Sequence, residues 1–316
     1  MARIAITDDY QNVAMSMADW TRLKAGNEVV VFNKPFASQD EAAAALAGFD
    51  VIAIMRERTP FPRALLDRLP ALKLLVTTGP RNASIDMKAC ADKGITVCGT
   101  SGGNHATAEL AMGIILGLAR NFHVELANMH EGRWQTTIGE DIKGKTLGLL
   151  GLGRLGSQLG EYAKAFGMDI IAWSPNLTDE RAREKGATRV EKDELFKRAD
   201  FISIHVVLSD RSRGLVGARE LALMKPTAFI VNTSRGPIID GTALAAVLKE
   251  GRIAGAGLDV YDVEPLPAAA ALRKEPRALL TPHIGYVTRE TYEMFYPHTV
   301  EAIEAWQAGK PVRVIK

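Results

Sequence analysis

Residues 147–156 read L-G-L-L-G-L-G-R-L-G, which sets Gly151, Gly153 and Gly156 directly after a short apolar run. The residues that follow, 157–166, continue in a helical pattern. A strand, a glycine turn and a helix form the context in which Gly-x-Gly-x-x-Gly carries meaning. Gly151 permits a tight turn off the strand. Gly153, without a Cβ, lets a pyrophosphate approach the backbone, and Gly156 lets the new helix pack closely on the sheet. Free N–H groups and the dipole at the helix N-terminus then hold the anion. Taken alone, the stretch is equally a glycine-rich turn without a ligand; the strand before it and the helix after it favour a dinucleotide.

The length, 316 residues, predicts two domains. A net charge of +2 with both signs interspersed gives no general attraction to nucleic acid or to a membrane surface. No apolar run reaches the ~18 residues of a spanning helix, and the opening M-A-R-I-A-I-T-D-D-Y lacks the apolar segment of a signal peptide. Cys90 and Cys98 flank a short turn and strand and are expected to be buried free thiols, which suits a reducing cytoplasm.

Short apolar runs alternate with helical patterns almost throughout, the signature of parallel sheets covered by helices on both faces. In the first third, strands are expected at 3–6, 28–31, 51–54, 74–77 and 96–97, with helices at 40–47, 64–69 and 85–93. An apolar stretch at 106–119 predicts one long buried helix running on to about residue 131. A second series places strands at 146–150, 169–173, 188–190, 201–204, 228–231, 255–259 and 278–280, with helices between them. The final helix, about 289–308, comes after that sheet is complete and is expected to return to the first domain. One domain is then inserted into the other.

Four stretches carry a resemblance: G-K-T-L-G-L-L-G-L-G-R-L-G at 144–156, V-N-T-S-R-G-P-I-I-D at 231–240, G-L-D-V-Y-D-V-E-P-L-P at 257–267 and L-T-P-H-I-G at 280–285. In this order and spacing the chain resembles the D-isomer-specific 2-hydroxyacid dehydrogenase family. The resemblance covers nearly the whole length and is loosest over the first seventy or so residues. It implies an α/β fold of two doubly wound parallel-sheet domains. A Rossmann-type nucleotide domain at 101–285 is inserted into a smaller flavodoxin-like substrate domain formed by 1–100 and 286–316. It also implies a homodimer joined through nucleotide-domain helices, including the long helix that begins near His105.

The same resemblance implies a catalytic set of Arg235, Glu264 and His283. Oxidising a 2-hydroxy acid removes a hydride from C2 and a proton from its hydroxyl. A histidine is suited to take that proton, so His283 is the expected general base, and when protonated the general acid for reduction. A carboxylate beside it, Glu264, favours the charged ring and fixes the tautomer. Arg235 offers a planar fork of donors for the substrate carboxylate and the reacting oxygen. Singly, each residue also reads as an ordinary surface or structural group. All three follow expected strand ends, where a doubly wound sheet places its ligand crevice.

The cofactor is expected to be NAD or NADP. Arg154 and Leu155 would cover the pyrophosphate through their N–H groups. By motif, Thr107, His205, Thr233, Asp259 and Gly285 join the cofactor set. At the end of the second strand of this unit, where an acidic residue would select NAD, the chain has Ser174. Ser174 and Asn176 can donate to a 2′-phosphate, so the sequence leaves the preference open. Substrate contacts are expected from Arg56 and from the loop holding Gly79, Arg81 and Asn82. That loop departs from the glycine-rich form usual in the family, and Tyr286 stands where a small residue is usual. The expected substrate is a small 2-hydroxy or 2-keto acid, with no nucleic acid or membrane partner and no metal site. Two rival readings share the scaffold: a nucleotide-sensing protein like the corepressors of this fold, and a dehydrogenase of another anion such as phosphite.

Overall fold

The computed structural model describes residues 1–103 and 105–316. The chain divides into two compact units, Met1–Asn104 with Val287–Lys316, and His105–Tyr286. In the first unit, five parallel strands are β1 (Arg3–Ile6), β2 (Glu28–Val31), β3 (Val51–Ile54), β4 (Leu74–Thr77) and β5 (Thr96–Gly99). They lie in the order β2-β1-β3-β4-β5, which is the flavodoxin-like order. Every residue of β3 and β4 is buried, as expected of central parallel strands covered on both faces. Polar caps mark where the intervening helices begin: Ser38 accepts from the Glu41 N–H, and Asp86 from the Ala89 N–H. The last helix, Arg289–Gln307, packs against β4 and β5 of this unit, as its position in the chain predicts. The helix Thr21–Gly26 is not among those the pattern predicts; six residues are too few to display a helical period.

The second unit holds seven parallel strands: β6 (Thr146–Leu150), β7 (Asp169–Trp173), β8 (Thr188–Arg189), β9 (Phe201–Ile204), β10 (Phe229–Asn232), β11 (Gly255–Leu258) and β12 (Ala278–Leu280). Their order is β12-β11-β10-β9-β6-β7-β8. The chain begins in mid-sheet at β6, runs outward to β8, then crosses back to β9 and continues to β12. That reversal beside β6 is the topological switch point, beyond whose carboxyl ends ligands bind in sheets of this class. The helices Ala106–Ala119 and Arg154–Ala165 pack together on one face, where Ile115, Leu118 and Leu159 join Leu149 and Val231 in the core. Phe201 and Phe229 stack there with centroids 5.2 Å apart, and truncating either ring would cost about 3–5 kcal/mol.

One expectation needs correction. The predicted long helix is two helices, Ala106–Ala119 and Phe122–His130, bent by 68°. Asn121 sits between them at φ 53°, a left-handed conformation that asparagine tolerates better than most residues and that ends the first helix. Beyond the bend Phe122, Leu126 and Met129 are exposed, while the first helix is mostly core. Among the described residues no single helix is long and apolar enough to cross a membrane; only the bent pair together reaches the length.

Candidate active site

Strand register sets the stage. Leu150, Ile204, Asn232, Leu258 and Leu280 are paired in one row across β6, β9, β10, β11 and β12. The glycine turn begins one residue past that row, Arg235 and His283 lie three residues past it, and Glu264 lies six past it. Four chain segments therefore leave the sheet at the same carboxyl edge.

In the glycine turn, Gly151 has φ +106°, and a Cβ there would stand 2.7 Å from the His205 carbonyl oxygen. A Cβ on Gly156 would stand 2.1 Å from the Gly151 carbonyl oxygen, so the helix can start this close to the strand only with glycine. Gly153 differs: nothing lies within 4 Å of the position its Cβ would take. The Ser157 N–H donates the first bond of the helical ladder to the Gly153 carbonyl, so the N–H groups of residues 154–156 precede that ladder at the helix N-terminus, the position at which helices bind anions. Two polar atoms near the row bear on whether a dinucleotide fits. Among the described residues, the buried Thr233 Oγ1 and the His205 Nδ1 have no hydrogen-bond partner. His205 Nε2 lies 2.8 Å from Ser203 Oγ, and burial lowers this histidine to about 4, so it is neutral near pH 7. An open glycine face, a helix N-terminus and orphaned polar atoms fit a dinucleotide.

The acid–base pair is formed. His283 Nδ1 lies 2.5 Å from Glu264 Oε2, and Glu264 Oε1 accepts the Tyr261 N–H at 2.8 Å. His283 occupies the left-handed region at φ 53°, unusual for a residue with a Cβ. The neighbouring contacts explain how it is held there. Asp259, fully buried, accepts from Thr281 Oγ1 at 2.6 Å, the Ile284 N–H at 2.8 Å and the Gly285 N–H at 2.8 Å. Burial raises the Asp259 carboxyl, and these donors oppose that rise. Thr107 Oγ1 donates to the Gly285 carbonyl at 2.8 Å, tying the start of Ala106–Ala119 to the histidine loop. The Tyr261 hydroxyl reaches the Leu258 and Thr281 carbonyls, and Tyr286 meets the His283 ring edge-to-face at 5.6 Å.

Arg235 leaves β10 in extended backbone, with its Nη1 donating to the Ser234 carbonyl at 2.7 Å. Asn232, buried at the strand end, shapes this loop. Its Nδ2 donates to the Arg235 carbonyl and its Oδ1 accepts the Ser234 N–H. Asn232 and Tyr261 were not singled out by sequence. The only signal for Asn232 is an amide closing an otherwise apolar strand. For Asp259 and Thr107, sequence placed both residues at the site but not their tie to the histidine loop.

Past the end of β7, Ser174 borders a cavity of about 280 Å³ together with Gly153, Asn176, Arg181, Glu184 and Lys185. In the first unit, Arg56 and Gly79 each lie two residues past the paired ends of β3 and β4. Gly79, at φ +90°, leaves room for the Arg56 guanidinium, since a Cβ there would stand 1.9 Å from Nη1. The Gly79 N–H donates to Thr100 Oγ1 at 2.7 Å, and residue 80 is a proline without an N–H. Asn82 donates to the Arg56 carbonyl and to Thr77 Oγ1, so its amide braces the loop from within. Arg81 is exposed. Among the described residues no cluster of histidine, cysteine and carboxylate could hold a metal.

A family model described as the D-isomer specific 2-hydroxyacid dehydrogenase NAD binding domain matches residues 112–285. The chain is 40% identical to 4-methyl-2-oxopentanoate reductase A of Aspergillus oryzae over 257 residues, 77% of this chain and 76% of that protein. It is also 40% identical to glyoxylate reductase of Thermococcus litoralis over 241 residues, 73% of this chain and 72% of that one. The crystal structure of a phosphoglycerate oxidoreductase from Vibrio cholerae superposes with a TM-score of 0.92 at 35% identity, covering 98% of this chain and all of that one.

Proposed function

The chain belongs to the D-isomer-specific 2-hydroxyacid dehydrogenase family, an NAD(P)-dependent oxidoreductase class, and from that premise we propose the roles of its residues in interconverting a small 2-hydroxy acid and its 2-keto acid. The relatives' substrates, glyoxylate and 4-methyl-2-oxopentanoate, are both short 2-keto acids, and we extend that class to this chain. When bound, NAD(P) supplies or receives the hydride.

Gly153 and the N–H groups of Arg154 and Leu155 hold the pyrophosphate. Thr233 and His205 line the same edge of the sheet, and Asp259, Thr107 and Gly285 build the loop beside it. His283 moves the proton. With Nδ1–H donated to Glu264, the lone pair on Nε2 takes the hydroxyl proton during oxidation, and the protonated ring returns it during reduction. Glu264 fixes that tautomer and stabilises the charged ring. Arg235 binds the substrate carboxylate and polarises the reacting oxygen. We assign dinucleotide binding to the second unit, which carries the glycine turn, and substrate binding to the first, through the loops that hold Arg56, Gly79, Arg81 and Asn82. Within the 79–82 loop the Asn82 side chain acts as a brace, and with a proline at 80 and the Gly79 N–H given to Thr100 the Arg81 N–H is the backbone donor assigned to the anion; the Arg56 guanidinium, which faces Glu57 at 3.6 Å, is assigned to the same role.

The reading also includes a homodimer in the cytoplasm. Exposed Phe122, Leu126, Met129, Trp134 and Ile138 in one segment support association of two copies. Two buried free cysteines suit a reducing compartment.

The observation that carries the proposal is the His283–Glu264 pair on the sheet edge that also bears the glycine turn. A turnover screen of short and branched 2-keto acids, with NADH and NADPH side by side, tests it. We expect turnover on at least one acid, lost in His283→Ala. Equal rates for that variant would remove the mechanism, and cofactor binding without turnover on any acid would favour a nucleotide sensor.

A further inference from the structure

We infer that the cavity at the end of β7 seats the 2′-phosphate of NADP, so that this chain prefers NADP(H) to NAD(H); the inference rests on the dinucleotide reading of the second unit. The Gly151 N–H donates to the Trp173 carbonyl at 2.8 Å, which fixes Ser174, the next residue, beside the glycine turn. This is where a carboxylate would bind a ribose diol and repel a phosphate. Ser174 offers a hydroxyl instead.

The segment that follows is locked. The Leu177 N–H donates to the Ser174 carbonyl at 3.1 Å, closing a turn with Pro175 and Asn176 at its centre. Arg189 Nε donates to the Leu177 carbonyl at 2.9 Å, and Thr178 Oγ1 accepts the Arg181 N–H at 3.3 Å. Ser174 and Asn176 thus line the cavity on a preformed turn. Opposite them stand Arg181 and Lys185, four residues apart and on one side of the helix Asp179–Glu184 and its cap. Among the described residues neither cation has an ion-pair partner, whereas Asp179, on the same helix, faces Arg189 at 3.9 Å.

Two cations and one carboxylate, Glu184, line the cavity, which leaves an excess of positive charge. A neutral ribose diol has no use for that excess of positive charge. A phosphate monoester, carrying roughly −1.5 to −2 near pH 7, matches it. A guanidinium fork, an ammonium, a hydroxyl and an amide are the donors such a group recruits.

The test is direct binding to the full chain, measured calorimetrically for NADPH, NADH and the fragment 2′,5′-ADP. We expect NADPH to bind at least about tenfold more tightly than NADH, and 2′,5′-ADP to bind measurably on its own. Arg181→Ala and Lys185→Ala should each weaken NADPH and 2′,5′-ADP by about tenfold while leaving NADH within about threefold. Arg183→Ala, which removes the same charge from the same helix outside the cavity, should change neither; Glu184→Gln should tighten NADPH. Ser174→Asp should invert the preference. These side chains sit at the surface or partly exposed, and matching thermal midpoints would establish that the variants fold. NADH binding as tightly as NADPH, or Arg181→Ala weakening both alike, overturns the phosphate seat and leaves the dinucleotide site standing. Failure to bind any of the three overturns both.

Discussion

Replacing Glu264 with glutamine separates the carboxylate's role from mere shape. In the structure one carboxylate serves two donors, the Tyr261 N–H at Oε1 and the His283 ring at Oε2. Glutamine keeps the outline but brings a single acceptor oxygen. With that oxygen toward His283, its NH2 opposes the Tyr261 N–H and two donors face each other. With the amide turned over, NH2 faces Nδ1 and drives the ring proton to Nε2, the nitrogen that must accept the substrate's proton. Either arrangement forfeits the charged hydrogen bond to the protonated ring, worth roughly 1.5–3 kcal/mol. That converts to about a 10- to 150-fold fall in kcat/KM for oxidation of the hydroxy acid. Initial rates followed by nicotinamide absorbance give the ratio, and dinucleotide Kd with the thermal midpoint serve as controls expected to stay near wild type. A Glu264→Gln variant that keeps half or more of kcat/KM would refute the argument that this carboxylate orients and charges the histidine.

Asp259→Asn replaces an acceptor with a donor opposite one of three inward-pointing donors. Urea unfolding without cofactor should show a loss of roughly 1–3 kcal/mol, and a change below about 0.5 kcal/mol would mean that the anchor does not hold the histidine loop. Acid stability should follow His205. Burial holds it down to about 4, so between pH 6.5 and 4 the unfolded chain takes a proton that the folded chain refuses, and stability falls by up to about 3 kcal/mol as pH drops through that window. His205→Gln should make the stability-against-pH slope there shallower by about one proton, and an unchanged slope would sink the assignment. Glu220 behaves differently. Burial raises its carboxyl, but hydrogen bonds from Lys192 and the Gly217 N–H prevail and bring it to about 2. Its contribution is therefore present above pH 4.5 and lost only as pH falls toward 2, and Glu220→Gln should abolish that lowest-pH component.

Much of this was legible because parallel strands covered on both faces have a plain sequence signature. Val51–Ile54 and residues 74–76 are short apolar runs in the chain and fully buried strand residues in the structure. The glycine spacing was readable for a similar reason, since backbone that must pass within contact distance of other backbone admits only glycine. The bend at Asn121 was not legible. Helical periodicity continues across it, and a single left-handed residue leaves no periodic trace. The roles of Asp259 and Asn82 were hidden for another reason. Sequence identifies a polar group at a strand end but not the partners that register brings to it, such as Gly285 from 26 residues away or Arg56 from the neighbouring loop.

By itself the sequence determined the parallel α/β class, the strand-turn-helix that admits a pyrophosphate, and which residue types are present to move a proton and hold an anion. Those follow from local sterics and from the pattern of burial, both of which repeat along a chain. The tertiary structure alone decided which polar groups are already engaged and which remain for a ligand. The Gly79 N–H, the Asp259 carboxylate and the Asn82 amide are satisfied within the fold, while Arg181 and Lys185 line a cavity and, among the described residues, have no ion-pair partner. The reason is that a hydrogen bond depends on distance and angle between groups far apart in the chain, and only the packed register of the strands sets those.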